Sequence, residues 1–392
     1  MGVAGFLVTR VVTVVILFVA ISIGWLAQHE LPAGLFFATI IPLLKGIMPP
    51  EVVGHGHMVG TPVVLNDMQA APRPTNELFL DLPGGYSMPA NGLGMCCRPT
   101  AYDHVLVRRT VLWYLLLGGR HIDGAHLYLN HEAIGLGIQD AMDRGVPRSE
   151  IFVTTKIFPS HFGHDKTLAT LPTFLDELGL DYIDLVLMHA PSTPSSVLMP
   201  NECTQAGRDA PTCRQDTWKA LSELRASGKV RNVGVSNFGV SQMEDIIRLA
   251  EPKEISSPGS WAPIANNQIQ FSPFAPAAVQ ETVAYCQAHN ITITAHSPLG
   301  GLSDFDRADA DQALQAIANA HNGVTVQQVM LRWILQQTNM AVIPGTGNPK
   351  HMRQNLAIYD FTLTDDEMKV IDGLKYQAEA EKFMYMDVSS MA

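Results

Sequence analysis

Seven polar residues of chemically useful types follow successive apolar runs along this chain. Lys156 ends one such run and His189 ends the next, and the others stand in similar places. Strand-like runs that alternate with helical stretches predict βαβ units and a parallel sheet. The C-terminal strand ends of a closed βα barrel meet at one face, so we expect one shared pocket. The residues concerned are Asp123, Tyr128, Lys156, His189, Ser236, Asn237 and Gln268.

Four of these residues form a set that could carry out general acid catalysis. A Tyr128 hydroxyl has a reference pKa near 10, and a nearby Lys156 ammonium is expected to lower it. Asp123 would keep Lys156 charged and in place. His189 could hydrogen-bond a carbonyl oxygen and orient it. We therefore predict that this set protonates a carbonyl oxygen while hydride arrives at the carbon.

The hydride must come from a nicotinamide cofactor, because no side chain donates hydride. Ser236, Asn237 and Gln268 offer donors and acceptors suited to a carboxamide, although Ser236 and Asn237 could instead cap a helix. The loop Gly345–Asn348 follows the final strand, where such barrels often bind phosphate. Gly92-Leu-Gly94 lacks the third glycine of a dinucleotide fingerprint, so no Rossmann site is predicted.

The elements that must position these residues approach eight βα units. Gly84-Gly85 predicts a hairpin before the first barrel strand, Gly179 closes one helix, and another helix is predicted over residues 216–226. The predicted fold class is therefore α/β, with a (β/α)8 TIM barrel over residues 76–392 and a hydrophobic segment before it.

That hydrophobic segment covers residues 1–49, and a linker rich in Gly and Pro covers 50–75. The run from Val11 to Ala27 is uncharged and, with the apolar residues before Arg10, reaches membrane-spanning length. An uncleaved single-pass anchor is the favoured interpretation. A cleaved signal peptide and a hairpin dipping into one leaflet are the alternatives. We expect a membrane protein of the secretory pathway or endoplasmic reticulum. Arg10 favours a lumenal barrel, whereas cytosolic NADPH supply favours the other side.

Composition and cysteine spacing limit the partners. The formal net charge of −11 argues against nucleic acid as a partner. No cluster of His and Cys predicts a metal site. Cys203 and Cys213 flank a polar loop and could pair in an oxidising lumen or stay free in the cytosol. Cys96 and Cys97 are interpreted as buried small apolar residues, with a redox role as the alternative.

Long motifs in this order resemble the aldo-keto reductase family over roughly residues 76–375. The motifs are Met88–Gly94, Gly119–Asn130, Leu178–His189 and Gly228–Phe238. The resemblance implies NADPH-dependent reduction of an aldehyde or ketone, with Tyr128 as the proton donor. It also implies cofactor contacts from Ser236, Asn237, Gln268, His296, Ser297, Leu299, Thr346 and Asn355. Separately, we expect the protein to be a monomer.

The chain departs from the family pattern at the cofactor. His296 stands where most members carry a stacking aromatic residue, Gly345 replaces a usual Lys, and His351 replaces a usual Arg. In the family, that Lys and that Arg normally bind the 2′-phosphate of NADPH. Because both are replaced here, NADH becomes an alternative cofactor. Lys350 or Arg353 could take their place.

Two pocket positions also differ, since Cys96 and Ala190 replace frequent aromatic residues. This predicts a wider pocket than that of small-aldehyde reductases. The alternative function is a non-catalytic, cofactor-binding regulatory subunit of a membrane protein complex, which the N-terminal segment and the altered cofactor grip both suggest.

Overall fold

A computed structural model describes residues 69–98, 101–191, 203, 206–250, 261–275, 277–300 and 308–374. The predicted hydrophobic segment and the linker up to residue 68 lie outside these described residues. Within the ranges just given, no helix has both the length and the apolar character needed to cross a bilayer.

The folded part opens with a two-stranded antiparallel hairpin, β1 (Phe79–Leu82) and β2 (Tyr86–Pro89). Gly84 and Gly85 join the strands with φ angles of +83° and +77°. Glycine adopts this left-handed region without a steric penalty, whereas a Cβ makes it costly. The hairpin predicted from the glycine pair is therefore confirmed.

An eight-stranded sheet follows, in which every strand is parallel to its neighbours and the order follows the chain. Its strands are almost wholly buried, as expected for parallel strands covered on both faces. The strands are β3 (Leu93–Gly94), β4 (His121–Asp123), β5 (Phe152–Ile157), β6 (Ile183–Met188), β7 (Val230–Ser236), β8 (Asn266–Gln270), β9 (Thr292–His296) and β10 (Met340–Val342).

The sheet curls until its first strand meets its last. Asn91, just before β3, forms a parallel bridge with Val342 of β10. The Gly92 amide donates to the Val342 carbonyl at 2.8 Å, and the Val342 amide donates to the Ala90 carbonyl at 2.8 Å. We call this junction between β3 and β10 the seam. Its hydrogen bonds are consistent with the predicted (β/α)8 architecture.

Helices alternate with the strands. They are α1 (His104–Leu116), α2 (His131–Met142), α3 (His164–Leu178), α4 (Ala210–Ala226), α5 (Val240–Ala250), α6 (Ala277–Ala288), α7 (Ala308–Ala320), α8 (Val326–Leu335), α9 (Pro349–Leu356) and α10 (Asp365–Asp372). Gly179 ends α3 in the left-handed conformation, as predicted. Helix α4 begins six residues before the predicted start at Asp216, because Asp209 accepts a hydrogen bond from the Thr212 amide and caps it there.

The last residues of the predicted linker contact the barrel. The Ala71 amide donates to the Leu116 carbonyl at 2.8 Å, and Arg120 Nη2 donates to the Ala71 carbonyl at 3.2 Å. Arg73 Nη2 reaches the Glu150 carbonyl at 2.5 Å. This stretch therefore packs as part of the folded domain, and the amide and carbonyl of Ala71 are both paired.

Candidate active site

A buried ion pair lies at the C-terminal ends of β4 and β5. Lys156 Nζ lies 2.5 Å from Asp123 Oδ1 and donates to the Gly124 carbonyl at 2.9 Å. The two side chains are 1% and 3% exposed. Burial lowers the pKa of Lys156, and the Asp123 carboxylate opposes that shift. The predicted pairing of Asp123 with Lys156 is confirmed.

Tyr128 stands on a single helical turn, His126–Tyr128, just after β4. Lys156 Nζ lies 5.3 Å from the centre of its ring. Burial raises the pKa of Tyr128 well above 10, and the Asp123 carboxylate adds to this. The prediction that Lys156 lowers this pKa is wrong, because desolvation outweighs the effect of an ammonium that is already bonded to Asp123. Tyr128 therefore holds its proton at neutral pH.

His189 follows β6 and faces Tyr128. The two rings meet edge to face with centroids 5.6 Å apart, and Phe158 packs edge-on against His189 at 5.7 Å. Burial lowers the pKa of His189 well below 6.5, and the Lys156 ammonium acts in the same direction. The imidazole is thus neutral. Its buried Nδ1 has no hydrogen-bond partner within the described residues, so it retains capacity to bind a polar group.

Gln268, Ser236 and Asn237 extend the same hydrogen-bonded network. Gln268 Nε2 donates to Asp123 Oδ2 at 2.6 Å, so its side chain fixes the carboxylate. Ser236 Oγ donates to the Gln268 carbonyl at 3.0 Å, and Asn237 Nδ2 donates to the His189 carbonyl at 3.1 Å. Asn237 has a φ of +60°, a conformation that asparagine tolerates better than most residues. The network therefore joins the ends of β4, β6, β7 and β8.

His296, at the end of β9, completes this network. Its Nε2 lies 3.0 Å from Asn237 Oδ1. Burial, with a contribution from Lys156, lowers the pKa of His296 to about 3, so the ring is neutral. A neutral Nε2–H can donate to the amide oxygen, which can only accept. Ser297, with a φ of +50°, and the partly buried Leu299 follow directly after β9.

The remaining predicted cofactor residues lie by the seam. Thr346, which is 9% exposed, accepts a hydrogen bond from the Asn348 amide at 3.1 Å. The Asn355 carbonyl, in α9, accepts from Asn91 Nδ2 at 2.7 Å. A Cβ on Gly94 would lie 2.7 Å from the Ile343 carbonyl oxygen. The loop after β10 is thus held tightly against the end of β3.

Two residues near the site were missed from the sequence. Phe158 packs on His189 and could have been found, since it lies two positions after Lys156 at the end of β5. Arg98 donates from Nη1 to the Gly94 carbonyl at 2.7 Å. It lies beyond the motif that ends at Gly94, so no sequence pattern pointed to it.

One of the two cysteine pairs differs from expectation, and the other takes one of its two expected states. Cys96 is half-buried and Cys97 is exposed with a φ of +64°, and their sulfurs are joined in a disulfide. The interpretation of this pair as buried apolar residues is therefore wrong. Cys203 and Cys213 form a second disulfide across 5.7 Å between their Cα atoms. Cys286 is buried and free.

Thiol titration tests this pairing. We expect one reactive thiol, that of Cys286, among the five cysteines of protein purified without reductant and then denatured. All five should react after reduction. A Cys286→Ser variant should give no thiol before reduction, and three thiols in the unreduced wild type would show that one pair is reduced.

The neutral state of His189 predicts a pH dependence of stability. The unfolded chain protonates this imidazole near pH 6.5, whereas the folded protein does not. The unfolded state thus binds more protons below that pH, and the free energy of unfolding falls as the pH falls, by up to about 1.4 kcal/mol per pH unit. Urea titrations between pH 7 and pH 5 should show a shallower fall in a His189→Asn variant.

His164 provides a control of opposite sign. The His164 imidazole donates hydrogen bonds to the Asp165 and Glu223 carboxylates, which raise its pKa. Its contribution to the free energy of unfolding is therefore present below pH 6.5 and is lost as the pH rises. A His164→Asn variant should therefore lose stability selectively at pH 5. An unchanged slope in His189→Asn would contradict a neutral His189.

Comparison with known proteins agrees with this geometry. A sequence model of the Aldo/keto reductase family matches residues 91–375, which contain the whole hydrogen-bonded network. The chain belongs to the aldo/keto reductase family. This places the curled parallel sheet and the network at the strand ends within a family of NAD(P)H-dependent oxidoreductases, and this aldo/keto reductase is such an enzyme.

Individual relatives are similar over most of the chain. The 9,11-endoperoxide prostaglandin H2 reductase of Trypanosoma cruzi is 35% identical over 73% of this chain and 88% of its own length. The glyoxal reductase of Bacillus subtilis is 36% identical over 66% of this chain and 79% of its own.

Solved structures of the family are also similar. The Bombyx mori aldo-keto reductase in complex with NADP is 29% identical, with a TM-score of 0.66 over 82% of this chain and 97% of that chain. Use of NADP(H) is a property of the family to which this aldo/keto reductase belongs.

Proposed function

We propose that this protein reduces an aldehyde or ketone to an alcohol with NADPH, and that Tyr128 is the proton donor. One observation carries the proposal. The Tyr128 ring lies between Lys156 Nζ of the buried Lys156–Asp123 pair and the ring of His189. A general acid must carry its proton at neutral pH, and burial raises the pKa of Tyr128 enough to ensure this. Release of the proton requires that the phenolate be stabilised, which is the task of the Lys156 ammonium.

Each residue has one task in the proposed step. When bound, a nicotinamide would supply the hydride for the carbonyl carbon, and negative charge would then develop on the carbonyl oxygen. Tyr128 Oη gives its proton to that oxygen. The Lys156 ammonium stabilises the phenolate that remains, while Asp123 and Gln268 hold the ammonium in position. His189 orients the carbonyl oxygen through a ring nitrogen.

The residues present fit a nicotinamide. The unpartnered His189 Nδ1 and the fixed amide of Asn237 are polar groups at the strand ends, where ligands of such barrels bind. Ser236, Asn237, Gln268, His296, Ser297 and Leu299 would hold the nicotinamide half, and Thr346 and Asn355 the adenosine half. NADH is proposed as the alternative cofactor.

We further propose a monomer anchored in a membrane of the secretory pathway by residues 1–49, with the barrel in the lumen. The two disulfides support the lumenal side, because disulfides persist in oxidising compartments. The placement is tested by tagging the free thiols of this protein in intact cells with a reagent that adds mass, and by comparing the number of tags with that on a known lumenal enzyme. A lumenal barrel should keep both disulfides and add no tag at those four cysteines.

Turnover measurements test the function directly. The full chain in detergent is mixed with NADPH or NADH and a panel of carbonyls that includes glyoxal, and cofactor absorbance is followed. Turnover with NADPH supports the proposal. Dinucleotide binding without turnover of any carbonyl, together with purification in a membrane complex, would instead favour the regulatory subunit.

A further inference from the structure

Arg98 lies on the loop between β3 and α1, and its side chain folds back over the end of β3. Nη1 donates to the Gly94 carbonyl at 2.7 Å, and Nη2 lies 3.7 Å from Met95 Sδ. These contacts fix the guanidinium at the C-terminal face of the barrel, beside the seam.

The guanidinium lies directly against the place that a side chain at position 345 would take. A Cβ on Gly345 would lie 3.0 Å from Arg98 Nη1 and 3.3 Å from the Gly94 carbonyl oxygen. Gly345 has no left-handed φ, so its backbone does not require glycine. What glycine provides here is room for the Arg98 guanidinium.

The surroundings suit an anion. Gly345 is followed by Thr346 and by Asn348, whose Oδ1 accepts from the Lys350 amide at 2.9 Å and caps α9. Loops after the last strands of such barrels, and helix N-termini, bind phosphate groups. Burial lowers the pKa of Arg98 to about 10, which leaves the guanidinium charged at neutral pH.

We propose that Arg98 binds a phosphate group of the dinucleotide cofactor, reaching from the β3–α1 loop across the empty side-chain position of Gly345. The inference rests on the proposed function, because it requires a dinucleotide at this face. NADH and NADPH share the pyrophosphate, and only NADPH carries a 2′-phosphate. A planar guanidinium pairs with phosphate in a bidentate geometry.

Dinucleotide affinity tests Arg98 without relying on turnover. Dissociation constants for NADP⁺ and NAD⁺ are measured by quenching of tryptophan fluorescence in the full chain, for Arg98→Ala, Arg98→Lys and Arg248→Ala. We expect Arg98→Ala to weaken binding by about 10- to 100-fold, the usual loss for a charged hydrogen bond. Arg98→Lys should lose less. Arg248, 74% exposed and paired with Glu244 on α5, is the matched control and should have no effect.

The two dinucleotides identify the phosphate. A loss confined to NADP⁺ assigns Arg98 to the 2′-phosphate, and an equal loss for both assigns it to the pyrophosphate. Wild-type affinity for both in a folded Arg98→Ala variant overturns the inference. If the wild type binds neither dinucleotide, the proposed function itself fails, so the two failures are distinguishable.

A second variant tests whether the Arg98 guanidinium and a side chain at position 345 would occupy the same space. Gly345→Lys alone should conflict with the Arg98 guanidinium. In an Arg98→Ala background the same lysine should restore part of the lost affinity, because the space is then free. Additive losses in the double variant would contradict a shared position.

Discussion

Replacing Tyr128 by Phe is expected to lower kcat for carbonyl reduction by about 100- to 10,000-fold, the usual contribution of a general acid. The substitution removes one oxygen and leaves the ring against Lys156 and His189. Dinucleotide affinity should therefore stay unchanged. The measurement is steady-state cofactor oxidation, alongside fluorescence titration of the cofactor.

Tyr86→Phe is the matched control for this experiment, since Tyr86 is 38% exposed on the β1–β2 hairpin. It should retain wild-type turnover. Equal turnover of Tyr128→Phe and wild type would remove Tyr128 from the chemistry. A loss of cofactor affinity in Tyr128→Phe would point to a structural role instead.

Replacing Lys156 by Met is expected to lower the free energy of unfolding by about 3–5 kcal/mol, the usual cost of breaking a buried ion pair. The change leaves the Asp123 carboxylate, 3% exposed, without its nearest positive charge. Within the described residues, two side chains hydrogen-bond the Asp123 carboxylate, Lys156 and Gln268, and only Gln268 then remains. Urea unfolding followed by circular dichroism measures the loss.

A second substitution separates stability from catalysis. Asp123→Asn in the Lys156→Met background removes the stranded charge and keeps an oxygen for Gln268, so much of the lost stability should return. Activity should not return, because no ammonium remains near Tyr128. Breaking the exposed Arg248–Glu244 pair should cost at most about 1 kcal/mol. A double variant as unstable as Lys156→Met would contradict this account.

The fold and the identity of the central residues could be predicted from the sequence because both depend on position along the chain. Lys156 and His189 stand at strand ends, and parallel strands bring those ends to one face whatever the loops do. Glycine signals also act locally, which is why Gly84-Gly85 and Gly179 were sufficient to place a hairpin and a helix end.

The pKa shifts and the long-range contacts of the site could not be predicted, because they depend on which groups meet in the folded structure. The raised pKa of Tyr128 follows from desolvation, which no spacing reports. Gln268 donates a hydrogen bond to Asp123, which lies 145 positions away in the sequence. The Arg98 guanidinium lies across the seam against Gly345, where a side chain at that position would stand. The pairing of Cys96 with Cys97 likewise depends on backbone and side-chain conformation rather than on adjacency.

The seam has a consequence for the order of folding. Asn91 bonds Asn355 across 264 positions, and β10 completes the sheet only when nearly all of the domain exists. Asp123 and Lys156 lie in consecutive strands, and His189 directly follows the next one. These three residues can therefore assemble locally during synthesis, ahead of that long-range closure. Until β10 arrives, β3 presents an unpaired edge open to association with other chains. Nascent chains stalled before residue 340 should therefore require a chaperone, even with the ion pair already formed.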